Sequence, residues 1–177
     1  MTPARTPRSA RAAQVLARAM ALLESEGPEA LTMRRLADEL GMRAPSLYKH
    51  FRDKAALEAA LVEEALAEVG AALHRAVARP GRRTPVAALL TTYRRECTAR
   101  PHAYRLATAG PLDRAGLPAG LEDWAGEPFF LATGDPHRAQ ALWALAHGMV
   151  VLEIDHRFLP GSDLARTWAA AAAAFGG

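Results

Sequence analysis

The chain has 177 residues, half of them hydrophobic, with 22 Lys or Arg against 19 Asp or Glu and a formal net charge of +3. That length holds one ordinary compact unit or a small head with a larger body, and the apolar fraction is enough for a substantial core. No apolar run approaches the roughly 18 residues of a membrane span, the N-terminus lacks the hydrophobic block of a secretory signal, and one cysteine, Cys97, excludes an intramolecular disulfide; a cytoplasmic location is expected.

The charge is unevenly placed. Through residue 54 there are ten Lys or Arg and six Asp or Glu, whereas the remainder has twelve and thirteen. The first 18 residues carry Arg5, Arg8, Arg11 and Arg18 with no acid. Such an arm can lie along phosphates or enter a minor groove; a solvated tail is the equal alternative.

Residues 31 to 54, LTMRRLADELGMRAPSLYKHFRDK, are the most informative stretch. Thr32 offers a side-chain oxygen to cap a helix start. Leu36, Ala37 and Leu40 then share one helical face. Gly41 stops the helix where a left-handed conformation costs other residues roughly a kcal/mol or more, and Met42 is apolar enough to sit under the turn. Pro45 stands where a first helical position is expected, since its missing N–H costs nothing there. Leu47 and Phe51 point inward, leaving Ala44, Ser46, Tyr48, Lys49 and His50 mostly outward, and Asp53 caps a further helix from Lys54. The pattern is a helix-turn-helix, whose second helix is able to lie in a DNA major groove.

The run R-A-P-S-L-Y-K-H-F-R-D-K, preceded by L-T-M-R-R-L-A-D-E-L-G-M, resembles the DNA-binding domain of the tetracycline-repressor (TetR) family. The resemblance extends back through VLARAMALLESEG and forward into AALEAALVEE, covering roughly residues 10 to 65. It implies that Arg34, Ala44, Pro45, Ser46 and Lys49 lie near bases and that Tyr48, His50 and Lys54 hold phosphates. Thr32 and Arg43 join them as candidate DNA-contacting residues.

Beyond the head the pattern stays helical, with no convincing alternating strand, and the fold expected is all-α. A stripe through Leu57, Leu61, Ala65, Val69, Leu73 and Val77 marks a helix ending near Arg79; 25 residues span about 37 Å. Pro80 and Gly81 break it, and Thr84 with Pro85 opens a helix toward Thr98. Pro101 starts a short helix through Thr108, and GPLDRAGLPAG is a turn-rich connection. A helix over Leu121 to Ala132 is expected to break near Pro128. Asp135 and Pro136 start a long helix to about Phe158, and Ser162 opens a last one to Phe175. Residues 1–54 are thus expected to form the reading head and residues 55–177 a helical body.

In that body Trp143, His147 and Gly148, in L-W-A-L-A-H-G-M-V, resemble the effector domain of TetR-family proteins named for its Trp, His and Gly; C-T-A-R-P-H-A-Y-R-L fits it too. The resemblance implies that the last two long helices form a four-helix bundle with a second subunit. Physically, Leu142, Leu145, Ala146, Met149, Val150 and Leu152 are many apolar residues for one monomer face, and the small side chains of WAAAAAAF permit close helix approach. Tyr93, Cys97, Tyr104, Trp124, Phe129, Trp143 and His147 are candidate walls of a small-molecule pocket, with Phe130 and Met149 beside them; each can also be plain core.

Catalysis finds no support. Glu153 and His156 form E-x-x-H, but a di-iron bundle needs a second such pair and two further Glu. Cys97 and His102 lack an orienting third group, and no phosphate loop or G-x-S-x-G is present. No metal or cofactor is expected. The sequence therefore points to a homodimeric transcriptional repressor on an inverted-repeat, double-stranded DNA operator, its recognition helices one turn (about 34 Å) apart and its release triggered by an unknown small-molecule effector. The alternative is a helical DNA-binding or protein-interaction module without such an effector.

Overall fold

The computed structural model describes residues 2–176, and every regular element among them is helical. The chain divides into two compact units: the residues up to Leu66 together with Arg100–Leu121, and Ala67–Ala99 together with the residues from Glu122 onward. No helix among the described residues is long and apolar enough to cross a membrane.

In the first unit α1 (Ala10–Glu26) starts at Ser9, whose hydroxyl accepts the Ala12 N–H at 3.2 Å. It ends at Gly27, where φ is 83° and the N–H returns to the Leu23 carbonyl at 2.9 Å. Val15, Leu16, Ala19, Leu22 and Leu23 recur at helical steps and are buried. They share one core with Leu36 and Ala37 of α2 (Met33–Glu39), Leu47 of α3 (Ala44–Tyr48), Phe51, and Leu57 and Leu61 from the start of α4 (Lys54–Ala78). Burying each leucine contributes about 1.5–3 kcal/mol, which fixes the short helices α2 and α3, whose stability alone is small.

Helix α6 (Pro101–Thr108) belongs to the same unit and obtains its N-terminal cap from elsewhere in the sequence. Arg100, its N-cap residue, makes no side-chain cap bond. Instead the Glu24 carboxylate of α1 accepts the N–H groups of Ala103 at 2.7 Å and His102 at 3.3 Å. Those donors would otherwise be orphaned at the helix start. A 3-10 turn, Arg114–Gly116, follows, with Asp113 accepting the Ala115 N–H at 3.2 Å.

The second unit contains the C-terminal half of α4, α5 (Pro85–Ala99), most of α7 (Leu121–Thr133), α8 (Pro136–Ile154) and α9 (Leu164–Phe175). Helix α5 packs on both α8 and α9. Arg94 of α5 donates two-pronged hydrogen bonds to Glu153 of α8 at 2.7–3.1 Å, and the Trp168 indole of α9 donates to the same carboxylate at 3.1 Å. The Arg94 guanidinium lies 5.9 Å from the Trp168 ring centre. One carboxylate thus ties three helices.

Four local expectations are corrected. Helix α7 runs unbroken through Pro128, which is buried inside it. Trp124 stacks on His74 and Phe129 sits edge-on to Tyr93, so packing on both sides of the proline overrides its missing N–H. Helix α8 stops at Ile154, short of Phe158. His156 adopts φ 52°, and the Arg157 N–H returns to the Leu152 carbonyl at 2.8 Å, closing the helix with a left-handed residue of a type enriched there. The last helix is capped by Asp163, which accepts the Arg166 N–H at 3.0 Å, and not by Ser162. Finally, Ala44 opens α3 and Pro45 is its second residue; at either position the helix has no acceptor for an N–H.

Candidate nucleic-acid interface

Two short helices and the turn between them aim one face outward. Thr32 caps α2 by accepting the Arg35 N–H at 3.1 Å. After Leu40 the chain reverses at Gly41, φ 60°, and the Met42 N–H closes onto the Ala37 carbonyl at 2.9 Å. Arg43 then precedes α3 without a side-chain cap bond. Leu47 is fully buried and Phe51 nearly so, which pins one side of α3 to the core. The other side is thereby exposed: Ala44, Pro45 and Lys49 face solvent, Tyr48 is 48 % exposed, and Ser46 and His50 are half-buried.

Around this face lie exposed Thr32, Arg34 and Arg43, and Lys54 at the first turn of α4. Lys54 sits 3.4 Å from Glu58, one helical turn on, a surface pair of little energy. Arg35 has a different assignment from Arg34. It bridges Glu26 at 2.8 Å and Glu39 at 2.6 Å, and Arg18 also pairs with Glu39. Hydrogen bonding from Arg18, opposed by desolvation and helped by Arg35, holds the Glu39 carboxyl below its usual range. These pairs brace α1 against α2. Arg52, between α3 and α4, is a cation that sequence reasoning passed over; its side chain is 85 % exposed beside Asp53. Its place in the same basic cluster as Lys49 and Lys54 was the available signal.

The N-terminal arm is docked through Arg5, Thr6 and Arg8. Arg8 pairs with Glu63 of α4, the Thr6 N–H donates to the same carboxylate at 2.8 Å, and Arg5 pairs with Glu64 at 2.6 Å. Burial pushes the Glu63 carboxyl up, but the Arg8 guanidinium and the Thr6 N–H outweigh it and hold the group below the usual carboxylate range. Thr6 and Arg8 also line a cleft of about 460 Å³ together with Lys49, His50, Arg52 and Glu63. The arm and the end of α3 therefore share one wall of the head.

The candidate pocket residues are dispersed. Tyr93 and Cys97 are buried on α5, and Phe129 of α7 meets Tyr93 edge-on at 5.5 Å. Met149 is buried on α8. Tyr104 is buried in the first unit, on α6. Trp124 is half-buried and stacked on His74 at 4.8 Å, with the imidazole Nε2 2.9 Å from the Trp124 carbonyl oxygen. Trp143 and His147 stack at 5.8 Å on α8, with Trp143 48 % exposed; Phe130 is similarly exposed. Burial, with Glu96 adding to it, pushes the Cys97 thiol far above its ordinary range, opposite to what a reactive thiolate needs. Glu153 of the E-x-x-H pair is committed to Arg94 and Trp168.

Residues 15–61 match the family model of bacterial regulatory proteins, tetR family. The chain is 50 % identical over 54 residues to the tetracycline repressor protein class A from transposon 1721 of Escherichia coli, which is 30 % of this chain and 25 % of that protein; the match thus spans about a quarter of that relative's length. Along nearly the whole chain, the fold is similar to that of a protein with unknown function from Rhodococcus sp. RHA1, with TM-score 0.77, 25 % identity, and 95 % and 94 % of the two chains covered. It is also similar to a TetR variant from Acinetobacter baumannii AYE solved in complex with minocycline, with TM-score 0.60, 24 % identity, and 92 % and 94 % covered. The sequence match is thus to the head alone, and along the rest of the chain the likeness is one of all-α fold.

Proposed function

We propose that this chain, whose head is of the tetR-family type, is a homodimeric transcriptional repressor that binds an inverted-repeat operator and is released by a small molecule. The observation that carries the reading is the outward face of α3: a five-residue helix held from behind by Leu47, presenting Ala44, Pro45, Tyr48 and Lys49 to solvent among exposed Arg34, Arg43 and Lys54. In this reading Arg34, Arg43, Ala44, Pro45, Ser46 and Lys49 approach base edges. Thr32, Tyr48, His50 and Lys54 contact the phosphates that set register. The work is divided between residues 1–54, which read DNA, and 55–177, which dimerise and take the effector. A chain that reads DNA in this way works in the cytoplasm.

Dimerisation is supported by an uncovered apolar face. On α8, Ala141, Ala144, Leu145, Gly148 and Leu152 follow three- and four-residue steps and are exposed or half-exposed. A Cβ added at Gly148 would meet nothing within 4 Å. On α9, Ala165, Ala169, Ala170 and Ala173 form a smooth exposed strip. Two such helices from each of two copies make a four-helix interface with twofold symmetry. Trp143, His147 and Gly148 on this helix are consistent with the Trp-His-Gly effector domain, and the minocycline complex of the similar protein supports a ligand for the body. Release by such a ligand requires that it favour one conformation over the other.

Selection from a random duplex library by the full chain tests the reading. Enrichment of a palindromic motif with half-sites about one helical turn apart is expected. Recovery of no common sequence, or of a single unpaired half-site, would remove the dimeric operator from the account.

A further inference from the structure

The N-terminal arm is held at two points of unequal strength. The Arg8–Glu63 pair is nearly out of solvent, with side chains 14 % and 3 % exposed, and Glu63 also accepts the Thr6 N–H. Removing either partner leaves a buried charge unsatisfied, so this clamp persists. The Arg5–Glu64 pair is open, with side chains 47 % and 25 % exposed. Exposed pairs of this kind are worth little and are screened by salt, so a phosphate oxygen competes readily with the Glu64 carboxylate for Arg5.

The clamp also fixes where Arg5 can go. Thr6 and Arg8 line the same cleft as Lys49, His50 and Arg52, so the arm emerges beside the end of α3. Arg5 stands one residue before the clamp, so its backbone stays within about 3.5 Å of the held Thr6 and the long side chain makes the move. Resting on the reading of α3 as the DNA-contacting helix, we infer that Arg5 is a further phosphate ligand: Glu64 holds it in the free protein, DNA takes it over, and the Thr6–Arg8 segment stays clamped on Glu63 as its base. Arg8 is thereby structural and Arg5 transferable.

The experiment measures affinity of the full chain for a library-selected duplex as a function of salt, for the wild type, Arg5→Ala and Arg5→Lys. Arg5 precedes α1 and is outside the core, so all three are expected to melt alike. Each phosphate contact contributes about 0.9 to the slope of log K against log salt. Arg5→Ala should bind severalfold more weakly and lose about 0.9 of slope per arm, and Arg5→Lys should restore the slope. A wild-type slope in Arg5→Ala, or a slope lost equally in Arg5→Lys, would overturn the transfer of Arg5 while leaving α3 as the reader. A wild type that binds no duplex removes both.

Discussion

Single glycines show how closely this chain is fitted in one place and how loosely in another. A Cβ on Gly70 of α4 would lie 2.7 Å from Trp124 Cζ3 and 3.0 Å from the Ala125 Cα. The same indole is stacked on His74, which holds one of its faces, and the second close atom is backbone. On Gly126 of α7, an added Cβ would meet nothing within 4 Å. Both are helical, so intrinsic propensity favours alanine by about 1 kcal/mol at each. Overpacking costs about 1–3 kcal/mol and reverses the sign at Gly70. Gly70→Ala should therefore lower stability in urea denaturation, and Gly126→Ala should raise it slightly. A stabilised Gly70→Ala would mean that the approach of α4 to α7 within the second unit is looser than described. Nothing in the sequence distinguished these two glycines, because the partner of Gly70 lies more than fifty residues away.

At the scale of elements, the head was legible and the ends of helices less so. The helix-turn-helix was readable because its signals are local: the Thr32 cap, the Gly41 reversal, and Leu47 with Phe51 four residues apart. Pro128 was misread for the opposite reason, since stacking on either side of it comes from α4 and α5. The end of α8 depended on one residue, His156, taking a left-handed conformation. The arm could not be placed from sequence, because Arg5 and Arg8 find Glu64 and Glu63 more than fifty residues on. Its docking has a pH signature. With the Glu63 carboxyl held below its ordinary value of 4.5, the clamp is complete above that value and is lost as pH falls through the lower folded-state one. The Thr6 amide should show a hydrogen-exchange protection factor that is constant through neutral and mildly acidic pH and declines only below the ordinary carboxylate range. Protection lost by pH 6 would show that Glu63 does not hold the arm.

For the whole molecule, the proposal needs two heads joined by the apolar faces of α8 and α9. Leu145 and Leu152 are 37 % and 44 % exposed in one copy, and a charge at either would be desolvated in a twofold interface. Leu152→Glu should sediment as a monomer at micromolar concentration and bind an inverted repeat far more weakly than the wild type; a dimeric Leu152→Glu would move the interface elsewhere. The most direct test concerns α3 itself. Fluorescence anisotropy with a library-selected duplex at fixed, moderate salt, comparing the wild type with Tyr48→Ala, should show specific binding lost in the variant while both proteins melt at the same temperature. Equal affinity for that duplex would contradict the assignment of this face to DNA.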